Sequence, residues 1–430
     1  MTIINSLQTD SSTDSTEAAY VGIDWADRKH DICEYNIEQN THEFYVIEHR
    51  PEKIDEWVEG LRKRYEGRRI AICTEQKRGP LIYALCKYDF LIIYPVNPRT
   101  VAKYREAFKP SRAKDDPTDA ALLEELLRKH RDHLYAWEPQ SKAIRTLAQL
   151  VESRRTLVGD KVRLSNRITA TLKNYYPQVL EWFKDKDTQV FCEFLLKYPT
   201  LKAAQEATPE ELTKFFHIHN VVRKTAINRR LESIKEGKLL TEDESVIETM
   251  TLLINAWVQQ LLILLLNIQS FDQEIEQLFN AHPDSALFSS LPGAGPHLAP
   301  RLLVAFGEDR ERYQSAQEII RYSGIAPVKE KSGKKEWVHW RYSCPKFLRQ
   351  TFVEWANHSR SFSFWASEFY DYQKQIGKTN QMAIRSLTFK WIRILYRCWK
   401  DRQPYDEAKY LLALKKKGSP LVKNMKVEAA

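Results

Sequence analysis

The sequence predicts an α/β domain at the amino end and an all-α character for most of the remaining chain. Three observations predict this. Residues 18–96 hold short apolar, β-favouring runs separated by segments of helical period. Residues 140–280 repeat apolar side chains every three or four positions with few breakers. Residues 285–400 change character, with a Pro-Gly-Ala-Gly turn between helical stretches and a high density of Trp, Phe, Tyr and Arg.

Within the first domain, period-two alternation gives strands at 19–25, about 31–38 and about 42–48, with turn residues between Asn36 and Thr41. Ile54, Trp57, Val58 and Leu61 share one face, so 52–66 reads as a helix. A strand at 69–74 ends at Glu75, Gly79-Pro80 opens a helix to about Lys87, and 90–96 is a further strand. Pro117, at a first helical turn, starts a helix to about His130. The order strand hairpin, helix, strand, helix, strand, helix builds a sheet with helices on its faces. Beyond it, Ile144, Leu147, Leu150 and Val151 open an apolar stripe, which Leu157, Leu164, Ile168 and Leu172 continue to Tyr175-Tyr176-Pro177. A second long run, about 242–280, has heptad-like apolar positions. The two suit either a hairpin within the chain or a coiled coil with a second chain. Residues 178–240 between them read as short helices with a basic stretch at 223–230. The resulting domains are 18–140, 141–284 and 285–404. A Ser/Thr/Asp-rich tail, 1–17, precedes them, and a basic tail, 405–430, with Lys415-Lys416-Lys417, comes after.

At 430 residues, 43% of them hydrophobic, the chain has room for roughly two to four domains with real cores. A formal charge of +9 suits a polyanionic partner. Six scattered cysteines, with no CxxC or Cys/His pair at metal-ligand spacing, point to reduced thiols in a cytoplasmic protein and away from zinc. No signal peptide is expected. The longest apolar run, 261–266, falls far short of the ~20 residues of a membrane span, so no membrane is expected either. GxxxxGK is missing, which argues against a P-loop ATPase.

Four acidic residues are spaced as one metal centre. Asp24 and Glu75 each close an apolar, β-favouring run, whereas Asp116 and Asp119 lie three apart where the chain turns helical and so share a face. Carboxylates gathered in this way repel unless a cation holds them, and hard ions such as Mg2+ take oxygen ligands. Two such ions about 4 Å apart clamp both oxygens of a phosphoryl displacement. Taken singly, a carboxylate that ends a strand is usually a turn or cap residue, and Asp116 could simply cap its helix. Asp115, four before Asp119, competes with Asp116, and Asp27 and Asp31 are expected to face solvent. Candidate nucleic-acid contacts are Lys103, Arg105, Arg112, Lys114, Arg154, Arg155, Arg163 and Arg167, with Lys331, Lys334 and Lys335 farther on. Gly293 and Gly295, in the Pro-Gly-Ala-Gly turn, would let backbone N–H groups approach a phosphate. Basic residues interleaved with Trp337, Trp340, Trp355, Trp365 and Trp391 suit base stacking, although helical spacing assigns most of these aromatics to a core.

Six motifs in order, over about residues 18–400, resemble the DEDD transposases of bacterial insertion sequences, which carry a RuvC-like domain and are guided by a bridge RNA. Tyr-Val-Gly-Ile-Asp24 is similar to that family's first catalytic strand, Thr74-Glu75 to its strand-end glutamate, and Lys114-x-Asp116-x-x-Asp119-Ala120 to its Lys-x-Asp-x-x-Asp-Ala. Residues 291–296 resemble its Pro-Gly-x-Gly turn. Ser323-Gly324-Ile325-Ala326-Pro327, with Ser332-Gly333 after it, resembles its Gly-Leu-x-Pro…Ser-Gly block.

The resemblance implies a RuvC/RNase H-like amino-terminal domain, a helical coiled-coil middle and a mostly helical carboxy-terminal transposase domain with a helix-hairpin-helix element. It also implies two Mg2+ ions on Asp24, Glu75, Asp116 and Asp119, and a serine nucleophile that falls by position on Ser332. The departure at Tyr342-Ser343-Cys344-Pro345-Lys346 makes Ser343 a second serine candidate. DNA at element ends and target, a structured guide RNA and a homo-oligomer (dimer or tetramer) are the implied partners, and the bacterial cytoplasm at the nucleoid the implied place. The alternatives are a RuvC-like junction-resolving nuclease, which uses water as nucleophile, and a non-enzymatic nucleic-acid-binding protein.

Overall fold

The β-favouring runs at the amino end form five strands: β1 (Glu17–Trp25), β2 (Lys29–Asn36), β3 (Thr41–Glu48), β4 (Arg69–Thr74) and β5 (Leu91–Pro95). The computed structural model describes residues 17–76, 79–108, 116–137, 140–333 and 335–422, with the side chains of Phe108 and Asp116 excepted. It divides into two units, residues 1–139 and 140–430.

In the first unit the strand order is β3-β2-β1-β4-β5. β1 to β3 form an antiparallel meander, and β4 and β5 run parallel to β1. Alternation splits the side chains between two cores. Val21, Ile23, Ile70 and Ile72 meet Ile54, Val58 and Leu61 of α1 (Pro51–Arg64) and Leu81 and Ile82 of α2 (Pro80–Leu85). On the other face, Tyr20, Ala71, Cys73 and Tyr94 meet Leu123, Leu126 and Leu127 of α4 (Asp116–His130), with α3 (Pro98–Phe108) beside it.

The course of α4 is fixed at two points. Just past its end, Arg131 donates two hydrogen bonds of 2.6 Å to the buried carboxylate of Glu17, where β1 begins. Farther along, a Cβ on Gly22 would lie 2.0 Å from the Ala120 carbonyl and 2.4 Å from the Glu124 nitrogen. Helix backbone therefore rests directly on strand backbone, and α4 runs back along β1 in the opposite direction.

In the second unit, α5 (Lys142–Leu172) and α11 (Glu244–Asn280) pack against each other within the chain. Between them, α6 (Val179–Trp182), α7 (Gln189–Lys197), α8 (Leu201–Glu206), α9 (Pro209–Ile218) and α10 (Lys224–Glu236) close a core around Phe191, Phe194 and Phe216. α11 buries Ile254, Val258, Leu261, Ile268, Ile275 and Phe279, a seam at heptad-like spacing. One 18-residue window of this helix is apolar enough, by length and composition alone, to cross a membrane, and the helix packs on α5 and α7 within the chain.

The rest comprises α12 (Ser285–Ser289), α13 (Gly295–Phe306), α14 (Ala316–Tyr322), a hairpin of β6 (Val328–Ser332) and β7 (Lys335–His339), then α15 (Lys346–Ser359), α16 (Phe364–Gln375), α17 (Asn380–Lys400) and α18 (Glu407–Lys416). Trp355, Trp365, Trp391 and Trp399 are fully buried, so most of the aromatic-rich segment is core. Each indole N–H has an acceptor: the Pro292 carbonyl, the Tyr405 hydroxyl, the Ser359 hydroxyl and the Gly307 carbonyl. Where a basic tail was expected, α18 folds back and buries Leu411, with Asp406 capping its first turn.

Two glycines separate packing from propensity. Gly22→Ala should lower the unfolding free energy by about 3 kcal/mol, because no side chain can give way there. Gly60→Ala, on α1 with nothing within 4 Å of the new carbon, should raise it by about 0.5–1 kcal/mol. Urea unfolding measures both.

Candidate metal centre and nucleic-acid interface

The parallel register pairs Gly22 with Cys73 and Ile23 with Thr74, so the next residues, Asp24 and Glu75, are neighbours at adjacent strand ends. Alternation puts Asp24 on the face of Tyr20 and Gly22, and Glu75 on the face of Ala71 and Cys73. That face is the one α4 covers. Asp24 lies about 23 Å along β1 from Glu17 at 3.3 Å per residue. Asp116 lies about 22 Å back along α4 from Arg131 at 1.5 Å per residue. The opening turn of α4, with Asp116 and Asp119, thus reaches the level of Asp24 and Glu75. Asp24 and Glu75 are half-buried, and Asp119 is 4% exposed. The side chain of Asp116 lies outside the described residues.

Two charged groups at this edge differ from expectation. Asp31 does not face solvent: it pairs with Asp24 across β1 and β2, is 5% exposed, and has Lys29 at 3.3 Å. Directly opposed residues of an antiparallel pair share a face, so Asp31 adds a further carboxylate beside Asp24. The antiparallel hairpin at 19–38 was the sequence signal that could have revealed it. Arg105, expected as a phosphate contact, turns inward from α3 and forms an ion pair with Asp119. A carboxylate so deeply buried is costly without an opposite charge, which explains the pairing.

The donor set suits hard divalent ions: oxygen ligands from two strand ends and one helix, partly open to solvent. A second group was not foreseen. Cys33, His42 and Glu124 offer ligand atoms that all lie within 4.8 Å of one another. Burial, with Glu124 close by, pushes the Cys33 thiol up to about 12. On the opposite side of the hairpin, burial and then His49 pull His30 down to about 4.

Among the other predicted contacts, Arg154 is bound by Asp272 and ties α5 to α11, while Arg163 pairs with Asp160 one turn back on its own helix. Arg155 reaches Gln350 at 3.2 Å. Lys103 and Arg167 are exposed. Arg112, Lys114 and Lys334 lie outside the described residues. Gly293, at φ +71°, serves packing, since its Cβ would meet the backbone of α15 at 2.8 Å; Gly295, at φ +53°, faces open space. Next to this turn, Arg154, Arg155, His297 and Arg301 line a cavity of about 130 Å3. Burial lowers the pKa of Arg301 although its partner Glu354 opposes the shift.

Ser332 ends β6 in register with Lys335 and is exposed at the tip of the hairpin, beside Gly333 at φ +59°. Lys331 and Lys335 flank it and are exposed. Ser343 is also exposed, on the bend before α15. Of the sequence-predicted residues, the first unit brings Asp24, Glu75 and Asp119 to one edge of its sheet, and Ser332 belongs to the second unit.

Comparison with known proteins agrees along the length of the chain. A family model for DEDD transposases of the IS110 type matches residues 21–177, and the model of the transposase IS116/IS110/IS902 family matches residues 285–371. A Streptomyces coelicolor protein named as a mini-circle putative transposase for IS117 is 27% identical over 407 residues, 90% of this chain and 95% of that protein. An uncharacterized 44.8 kDa protein of insertion element IS116 from Streptomyces clavuligerus is 24% identical over 82% of this chain and 87% of its own length. The pilin gene-inverting protein of Moraxella bovis is 30% identical over 152 residues, 33% of this chain and 46% of that protein. With matches at both ends and relatives spanning nearly all of it, this chain belongs to the IS110/IS116 family of DEDD transposases.

Proposed function

We propose that the chain cleaves and rejoins DNA strands of an insertion sequence by transesterification, with Asp24, Glu75, Asp116 and Asp119 holding Mg2+ and Ser332 as the nucleophile. The observation that carries this is the convergence of Asp24, Glu75 and the first turn of α4 at one edge of the sheet. A meander joined to two parallel strands, with α4 running back along β1, supports a RuvC-like reading of the first unit. The two helices about the Pro-Gly-Ala-Gly turn support a helix-hairpin-helix reading of residues 285–306.

Bound Mg2+ would offset charge on the phosphate and on the oxygens entering and leaving it. The carboxylates would fix its place, and Arg105 would hold Asp119. Ser332 would attack phosphorus through its hydroxyl oxygen. A new O–P ester forms, the bond to one deoxyribose oxygen breaks, and that oxygen takes up a proton. Because one phosphoester replaces another, rejoining needs no ATP, in keeping with the lack of a P-loop. Lys331 and Lys335 would draw the anionic strand to the hairpin tip. Guidance by a structured RNA is carried over from the family resemblance. Exposed Leu252, Ile263 and Leu266 on α11 suit coiled-coil pairing with a second copy.

Two outcomes are expected. Ser332→Ala should abolish a covalent protein–DNA species on denaturing gels. Persistence of the adduct would move the role to Ser343, and hydrolysis without any adduct in the wild type would favour the junction-resolving reading. Glu75→Gln should lower strand cleavage by on the order of 10²–10³-fold, and chelation of divalent ions should stop it. Cleavage at the wild-type rate would leave a non-enzymatic binding protein as the better reading.

A further inference from the structure

Behind the carboxylate edge, on the same face of the sheet, lies a set of ligands of different chemistry. Cys33 is in register with Gly22, so its side chain lies on the face of the sheet that α4 covers. Phe44 pairs with Cys33, and His42, two residues before Phe44 on β3, reaches the same face. Glu124 comes down from α4 and is 1% exposed. Its Oε1 accepts from the Arg128 Nε at 2.7 Å, and its Oε2 is 3.2 Å from the His42 Nε2. One carboxylate oxygen is therefore oriented by an arginine while the other faces an imidazole, with the thiol close to the pair, an arrangement typical of a monodentate metal ligand with an outer hydrogen bond.

We propose that Cys33, His42 and Glu124 form a zinc site that fastens α4 to β2 and β3. Their ligand atoms lie within 4.8 Å of one another, so small side-chain movements bring them to the ~3.3–3.8 Å edges of a tetrahedral ion with bonds of about 2.0–2.3 Å. Thiolate and imidazole select a borderline-soft ion such as zinc over Mg2+, which separates this site from the all-oxygen set at the strand ends. Three protein ligands leave the fourth position to water, and His42, more than a third exposed, marks the open side. The sequence hid the site because its members lie on β2, β3 and α4, nine and 82 residues apart, with none of the short spacings that announce zinc. A bound ion would hold Glu124, and with it Ala120 and Asp119, against β1. The site is thus a positioning device for the carboxylates, and it does not depend on the transesterification reading.

The test is zinc retention by the full chain, produced in zinc-supplemented medium and dialysed against Mg2+, with metal counted by elemental mass spectrometry and folding monitored by circular dichroism. The wild type and Asp24→Asn should each keep about one zinc per chain. Cys33→Ser and His42→Ala should lose it while remaining folded. Cobalt substitution of the wild type should give a thiolate-to-metal charge-transfer band, which decides the matter alone if Cys33→Ser does not fold. Absence of both zinc and that band in the wild type, or undiminished zinc in folded Cys33→Ser, would overturn the proposal. Zinc lost from Asp24→Asn but kept by Cys33→Ser would place the ion at the strand ends instead. Unchanged DNA cleavage in Asp24→Asn, with zinc retained, would count against the carboxylate centre and not against this site.

Discussion

The first unit depends on the contact between Gly22 and the backbone of α4. No other residue type fits, because the Ala120 carbonyl and the Glu124 nitrogen occupy the volume of a Cβ. That closeness, with the bidentate Arg131–Glu17 pair at the far end, sets both the direction and the level of the helix. Once these are set, Asp119 stands over the ends of β1 and β4 because of element lengths alone. The aspartate of Gly22-Ile23-Asp24 and the helix of Asp116-x-x-Asp119 are therefore parts of one construction, and the glycine two residues before the acid is what lets them meet.

Charge balance is a consequence of that packing. Asp24 has Asp31 opposite it, Glu75 on the neighbouring strand and Asp119 above. Such a gathering is unfavourable unless positive charge enters it, and the chain supplies some: Lys29 at Asp31 and Arg105 at Asp119. The second unit also neutralises acids with cations, some of them largely buried. Arg154, Arg163 and Arg310 neutralise nearby carboxylates, whereas Lys331 and Lys335 stand exposed beside Ser332.

How much of this could be read from the sequence varies with the range of the interaction. Most strands and helices of the first unit are set by local period, although α3 was not among the elements expected, and the acidic character of Asp24, Glu75, Asp116 and Asp119 was legible. The long pair, α5 and α11, was legible as helices, but its partner was not, since an apolar stripe does not say which surface covers it. For tryptophans 355, 365 and 391 helical spacing already favoured a core, which their burial bears out, while their indole N–H acceptors lie on distant elements that no local pattern names. Arg105 and Arg154 read as surface cations because their acids, Asp119 and Asp272, lie 14 and 118 residues away. Asp31 could have been found by carrying the hairpin register one step farther. Cys33, His42 and Glu124 could not, because they meet only through the packing of α4 on the sheet.

The central claim is that side chains from two strand ends and one helix bind a single cluster of hard divalent ions. Titration with Mn2+, monitored by the electron paramagnetic resonance of the free ion, tests it most directly in Asp24→Asn, Asp119→Asn and the double variant. If the carboxylates act as one site, each single change weakens Mn2+ binding and the double variant is scarcely worse than either, as expected for coupled ligands. Wild-type affinity in either single variant, or losses that simply add, would contradict the account.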